Sequence, residues 1–194
     1  VAPDFFGNPT TYNYWGVFNY GEFVSFIGII PLSLCLLAII KRVPNMKFFA
    51  ALAAVSLLFG LENPISKIPY VASVPFISSA QPSRIIFLLN FALVVLAAFG
   101  LETFTKDKSR FKNFLPPIAI ASILLILLAA TFSFAIFPQD PSINTQLVAR
   151  RNLAVPIATV VGLAIIFILK VFNVSSKLIV GLIFLLTTLE LFRF

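Results

Sequence analysis

The ionisable side chains that fall where chemistry would be done, at one shared face of the apolar runs, are Asp4, Glu22, Glu62, Lys67, Arg84, Asp140, Arg150 and Arg151. Charges at membrane depth are costly and usually functional, although those at helix ends also snorkel to water. Arg84 leads the group. With Ser83 it stands where a proline-broken segment, residues 62 to 84, enters an uninterrupted apolar run. A guanidinium there can hold a phosphate group with two parallel hydrogen bonds, or serve only as an interfacial anchor. Glu22 comes next, at the start of the first apolar run, where a carboxylate can contact substrate or simply complement a helix dipole. Tyr14 and Trp15 belong to an aromatic stretch, residues 1 to 22, whose rings can stack on sugars or anchor the chain at a bilayer surface.

Other chemistries find no residues to carry them. The chain has no P-loop, dinucleotide glycine fingerprint, G-x-S-x-G or H-E-x-x-H. There is no histidine, and the lone Cys35 lies in an apolar run, so no cofactor is evident and an inert buried thiol is expected. Asn173-Val174-Ser175 fits a glycosylation acceptor but lies too close to the membrane, and Pro9 spoils Asn8-Pro9-Thr10. The net charge of +7 comes from short loops between apolar runs, so it points to a lipid bilayer as partner and not to nucleic acid.

The elements that must position these residues are membrane helices. The chain is 60% hydrophobic and 11% charged, against roughly 25% charged in soluble domains. The surplus apolar surface requires lipid, and the long runs exclude the short alternating strands of a barrel. The expected fold is all-α, a polytopic transmembrane helical bundle with spans near 23–40, 48–61, 85–101, 117–137, 153–169 and 178–191. Pro31 should kink the first span, Pro116 and Pro117 should start the fourth, and Pro156 should sit in the first turn of the fifth. Ala50 and Ala54 form a small-xxx-small pair, and Asn90 is placed to bond a neighbouring helix. Residues 62 to 84 carry Pro64, Pro69, Pro75 and Pro82 among apolar residues, which fits a re-entrant or membrane-surface segment.

Basic residues set an orientation. With residues 1 to 22 outside, the inner loops hold Lys41, Arg42, Lys47, Lys106, Lys108, Arg110, Lys112, Lys170 and Lys177, nine of the 14. Lys67, Arg84, Arg150, Arg151 and Arg193 lie outside. The bias favours an extracytoplasmic aromatic loop. A start at Val1 inside a polar aromatic segment further suggests a fragment of a longer chain, with the remainder of its own polypeptide as a partner.

The run GNPTTYNYWG, then EFVSFIGIIPLSLCLLAI, then IPYVASVPFISSAQPSRIIFLLNFALVVLAAFGLETF resembles the later membrane part of YfhO-like bacterial membrane proteins, within the large GT-C-type glycosyltransferases. Gly28, Pro31, the Pro82-Ser83-Arg84 approach, the Ala97 to Leu101 exit and the closing Leu189-Glu190-Leu191-Phe192 carry the similarity. The resemblance implies transfer of a sugar from a polyprenyl-phosphate donor to an extracytoplasmic glycan or polymer. It also implies a catalytic acid in an early outer loop, to which no residue of this chain corresponds by motif. The rival classes are half of a transporter and a non-enzymatic envelope scaffold. A transporter's signature is broken helices near the midplane and an internal repeat; there is no convincing repeat between the first and second three helices, and no intramembrane acidic residue is expected for ion coupling.

Overall fold

The structure is a computed structural model, and it describes residues 2–16, 20–23, 25–76, 78–79, 81–106, 111–133, 137 and 143–192, with the side chains of residues 22, 23, 111 and 112 left aside. Among the described residues the chain is helical and has no strand. The helices are α1 (Tyr20–Phe23), α2 (Ile29–Ile40), α3 (Met46–Gly60), α4 (Pro64–Val71), α5 (Ile86–Lys106), α6 (Phe111–Ala130), α7 (Thr145–Val171) and α8 (Ser176–Leu191), with short 3-10 turns at Pro9–Thr11 and Pro82–Ile85.

Helix α2 is the hub. Its sequence, IIPLSLCLLAII, is apolar on every side, the pattern of a helix buried all round. Ile30, Leu34 and Leu37 pack with Leu96, Ala97 and Phe104 of α5, Leu163, Ile166 and Phe167 of α7, and Ile179 and Ile183 of α8. Ile29, on another side, meets Ile120 and Leu124 of α6 and Leu153 of α7. The approach of α5 is close enough to require glycine, since a Cβ on Gly100 would stand 1.9 Å from the Leu34 carbonyl oxygen. Helix α3 lies on α5, and the small buried residues on it are Ala53, Ser56 and Gly60. Ala50 touches the core, but Ala54 is exposed, so the expected Ala50/Ala54 pair is not the contact stripe.

Among the described residues three helices are long and apolar enough to cross a membrane: Pro82–Lys106, Asn113–Ala130 and Thr145–Val171. A fourth crossing results only if α3 and α4, bent by 72°, count as one. Helix α2, with 12 residues, extends about 18 Å, short of the ~30 Å hydrocarbon core.

Several helix ends differ from expectation, each for a local reason. The stretch 23–40 is not one kinked helix, because the chain breaks between α1 and α2, and Gly28 takes φ +95°. Pro31 then falls in the first turn of α2, where the missing N–H costs nothing, so it starts a helix where a kink was expected. Helix α6 begins at Phe111, which leaves Pro116 and Pro117 inside it, and ends at Ala130 rather than 137. Helix α7 begins at Thr145, capped by the Asn144 side chain, so Arg150, Arg151 and Pro156 lie well within a helix and not at its start.

Candidate functional site

Consecutive helices alternate in direction, which brings the start of α2, the end of α3, the starts of α5 and α7 and the ends of α6 and α8 to one end of the bundle. Five contacts fix this arrangement. Asn152 of α7 donates to the Asp4 carbonyl at 2.6 Å, and Ser25 Oγ donates to Asn90 Oδ1 of α5 at 2.6 Å. A Cβ on Gly60 would meet Ile85 and Ile86 at 3.1 and 3.3 Å. Arg150 of α7 reaches the end of α6, and Glu190 of α8 reaches the start of α2.

The N-terminal loop folds over this end. Asn8 caps the Pro9–Thr11 turn through Oδ1, and its Nδ2 donates to Asp4 Oδ2 at 3.2 Å and to the Tyr20 hydroxyl oxygen at 3.0 Å. The Tyr20 hydroxyl in turn donates to Asp4 Oδ1. Burial first, and the Asp4 carboxylate second, push the Tyr20 phenol up from 10.0 to about 12. Tyr14 meets the Tyr20 ring edge-on, with centroids 5.5 Å apart. Trp15 faces inward, with centroids 4.8 Å from Phe6 and 5.2 Å from Phe137, and its indole Nε1 is buried without a partner among the described residues. The most exposed ring among the described residues of this loop is Tyr12, 91% accessible and held at φ +53°, with Phe6 also exposed.

The candidate residues gather here by segment. Glu22 lies on α1, which touches the 3-10 turn holding Ser83 and Arg84. Arg84 is exposed, with no ion pair among the described residues, while Ser83 is buried and its hydroxyl lacks a partner among them. Glu62 and Lys67 pair at 2.8 Å, both exposed, and the lysine holds the glutamate carboxyl below its usual range. Arg150 is satisfied within the protein. Its Nη2 and Nε donate to the Thr131 carbonyl and hydroxyl at 2.9 and 3.2 Å, closing the end of α6, and its guanidinium lies 3.9 Å over Phe132. Arg151 is exposed, and Asp140 and Arg193 lie outside the described residues.

Glu190 was placed by sequence only at the end of the last helix, and its partner was missed. It is 3% exposed on α8, and the Ile29 N–H donates to both carboxylate oxygens at 3.0 Å. The Ile30 N–H bonds the same carboxylate. These donors are the free first N–H groups of α2, at the positive end of its dipole. The absence of a Cβ at Gly28 makes room, since one would stand 3.1 Å from Glu190 Oε2. A carboxylate thus caps a half-length helix that begins inside the bundle. The signal for it was an acidic residue closing the apolar run LIFLLTTLEL. Among the described residues no three His, Cys, Asp or Glu side chains gather as a metal cage.

Comparison with known proteins adds no relative: no family model, no curated protein and no solved structure matches the chain.

Proposed function

We propose that this chain is the later membrane part of a GT-C-like glycosyltransferase, in which it helps hold a polyprenyl-phosphate-linked sugar for transfer to an extracytoplasmic glycan or polymer. In this reading α3, α5, α6, α7 and α8 cross the cytoplasmic membrane, and the half-length α2 together with the segment before it makes the sixth crossing. The aromatic loop lies outside, and the catalytic carboxylate comes from the remainder of the polypeptide. The observation that supports it is an exposed guanidinium, Arg84, without an ion pair among the described residues, on a 3-10 turn that touches α1, whose Tyr20 meets Tyr14. A cation on a segment that meets an aromatic one suits a phosphate bearing a sugar. The YfhO-like resemblance of the same segments points the same way.

Trp15 is the only tryptophan in the chain, so its fluorescence reports on this end. Titration of the detergent-solubilised protein with a polyprenyl phosphate should give a saturable change, and the uncharged polyprenol should bind at least about tenfold more weakly. Arg84→Ala should lose about tenfold or more in affinity, the scale of a charge-assisted hydrogen bond of roughly 1.5–3 kcal/mol. Equal binding of phosphate and alcohol, or an unaltered Arg84→Ala titration, overturns the reading.

The buried Glu190 at the start of a broken helix favours a second reading, half of a transporter for envelope components, since transporters place such groups at half-helix ends. Vesicle uptake that Glu190→Gln abolishes and Arg84→Ala leaves intact would select it over the transferase.

A further inference from the structure

Helix α4 presents its apolar side outward. Pro64, Ile65, Ile68 and Val71 are all exposed, at 48%, 59% and 85% for the last three, and so is the C-cap residue Ala72. The side turned to the protein holds Ser66, 5% exposed, with Tyr70 half-buried. Residues 65, 68 and 72 stack on one helical face, and Lys67 lies about a third of a turn away. This is the inverse of a helix facing water.

The outward surface does not stop at α4. Val55, Leu57, Leu58 and Leu61 are exposed along α3 and at its C-cap, so one apolar surface continues from α3 round the bend. The bend is built by a single side chain. Asn63 Nδ2 donates to the Leu58 and Leu61 carbonyls at 2.6 and 2.9 Å, which ties it to the end of α3. Its Oδ1 accepts from the Ile65 and Ser66 N–H groups, and Ser66 Oγ accepts from the Asn63 N–H, a complete capping box that starts α4. With α3 along the membrane normal, the 72° bend lets an eight-residue helix of about 12 Å climb only about 4 Å.

We infer that α4 is a monotopic interfacial helix, whose partner is the lipid surface itself, with Ile65, Ile68 and Ala72 in the acyl boundary and the Glu62–Lys67 pair among the headgroups. Continuity with the lipid-facing side of α3 chooses lipid over a protein partner, and the shallow climb chooses the interface over a broken span. The 3-10 turn bearing Arg84 packs on the same end of α3, so the elbow sets Arg84 at headgroup level too. This inference does not depend on the transferase reading.

The test is depth measured by spin label. Single cysteines are introduced as Glu62→Cys, Ile65→Cys, Lys67→Cys, Ile68→Cys and Val71→Cys, all at exposed positions, while the native Cys35, 1% exposed, stays unlabelled. The chain is reconstituted in phosphatidylcholine–phosphatidylglycerol vesicles, and collision with oxygen is compared with collision with a water-soluble nickel chelate. The expected result is a helical oscillation, with the oxygen-to-nickel ratio at 65 and 68 at least about threefold above that at 62 and 67. A ratio that rises steadily from 62 to 71 means a spanning segment and overturns the inference. Low collision with both reagents at 65 and 68 means a covering protein and overturns it as well.

Discussion

Replacing Glu190 probes the buried carboxylate contact that starts the hub helix. Glu190→Leu removes every acceptor for the Ile29 and Ile30 N–H groups, which start α2 in apolar surroundings formed by Ile120, Leu124 and Leu153. An unsatisfied buried donor costs about 1–3 kcal/mol, so two cost about 2–6 kcal/mol. Against this stands the desolvation of a carboxylate with no countercharge among the described side chains near it, a penalty of several kcal/mol that leucine would relieve. The helix end decides between them. Its N–H groups and dipole are fixed in place and need no reorganisation to hold the anion, so the cap should win. Glu190→Gln keeps a carbonyl oxygen for one N–H and should fall between the two. Thermal unfolding in detergent should therefore rank wild type above Gln above Leu. The leucine variant should be lower by at most about 4–24 °C, the ~2–6 kcal/mol of open donors at ~2–4 °C per kcal/mol before the relieved desolvation is subtracted. Amide exchange at Ile29 and Ile30 should rise in the same order. A leucine variant as stable as wild type, with those amides still protected, would refute the capping argument.

The remaining predictions concern the loop and the helix crossing. Tyr20 should titrate near pH 12 in phenolate absorbance, above the ordinary 10.0. Because its folded pKa is raised, its contribution to stability is complete below pH 10 and is lost as pH climbs toward 12. Tyr20→Phe should abolish that part of the alkaline loss, and an unchanged melting profile between pH 10 and 12 would contradict it. Gly100→Ala should destabilise by about 1–3 kcal/mol through overpacking on the Leu34 carbonyl. Gly181→Ala, with open space around it, should raise stability by roughly 0.5–1 kcal/mol. Melting of the pair checks the close approach, and equal shifts would rule it out.

Apolar length was legible from sequence wherever a helix is long enough to be read by composition alone. The runs beginning at residues 85, 117 and 153 overlap the three helices that pass by length and hydropathy, although α6 stops at Ala130, short of the expected 137. What was not legible is where polar side chains let a helix continue. The pair Arg150-Arg151 reads as a loop because charges usually end an apolar run, yet α7 passes through it. Arg150 is absorbed by the Thr131 carbonyl and the Phe132 ring, partners 19 and 18 positions away that only the fold supplies. Asn90 was read as bonding a neighbouring helix, and its partner is Ser25, in the break before α2. The candidate site was legible to the same degree. Arg84, Ser83, Glu22 and Tyr14 are on segments that meet at one end, while Trp15, chosen as a stacking surface, packs against Phe6 and Phe137 in edge-on and tilted contacts.

The break before α2 shows why one kind of information is missing from any local reading. Gly28-Ile29-Ile30-Pro31 fits two structures equally well, a kinked long helix or a loop followed by a new helix start, since proline is tolerated in a first turn and costs about 3 kcal/mol in the interior. Residues near Pro31 do not decide, because the free N–H groups of a new start must find acceptors, and none is nearby in sequence. The acceptor is Glu190, 161 positions away. Once it is present, the start is favoured twice over: the orphan donors are satisfied, and proline leaves the interior. Remove it, and no good choice is left: the start leaves its donors open, while a helix run on through Gly28 would place Pro31 in the interior at about 3 kcal/mol. Glu190→Leu should therefore lower the melting point and open the Ile29 and Ile30 amides without adding helix before Ile29, and lowered amide exchange across 25–28 in that variant would overturn this account.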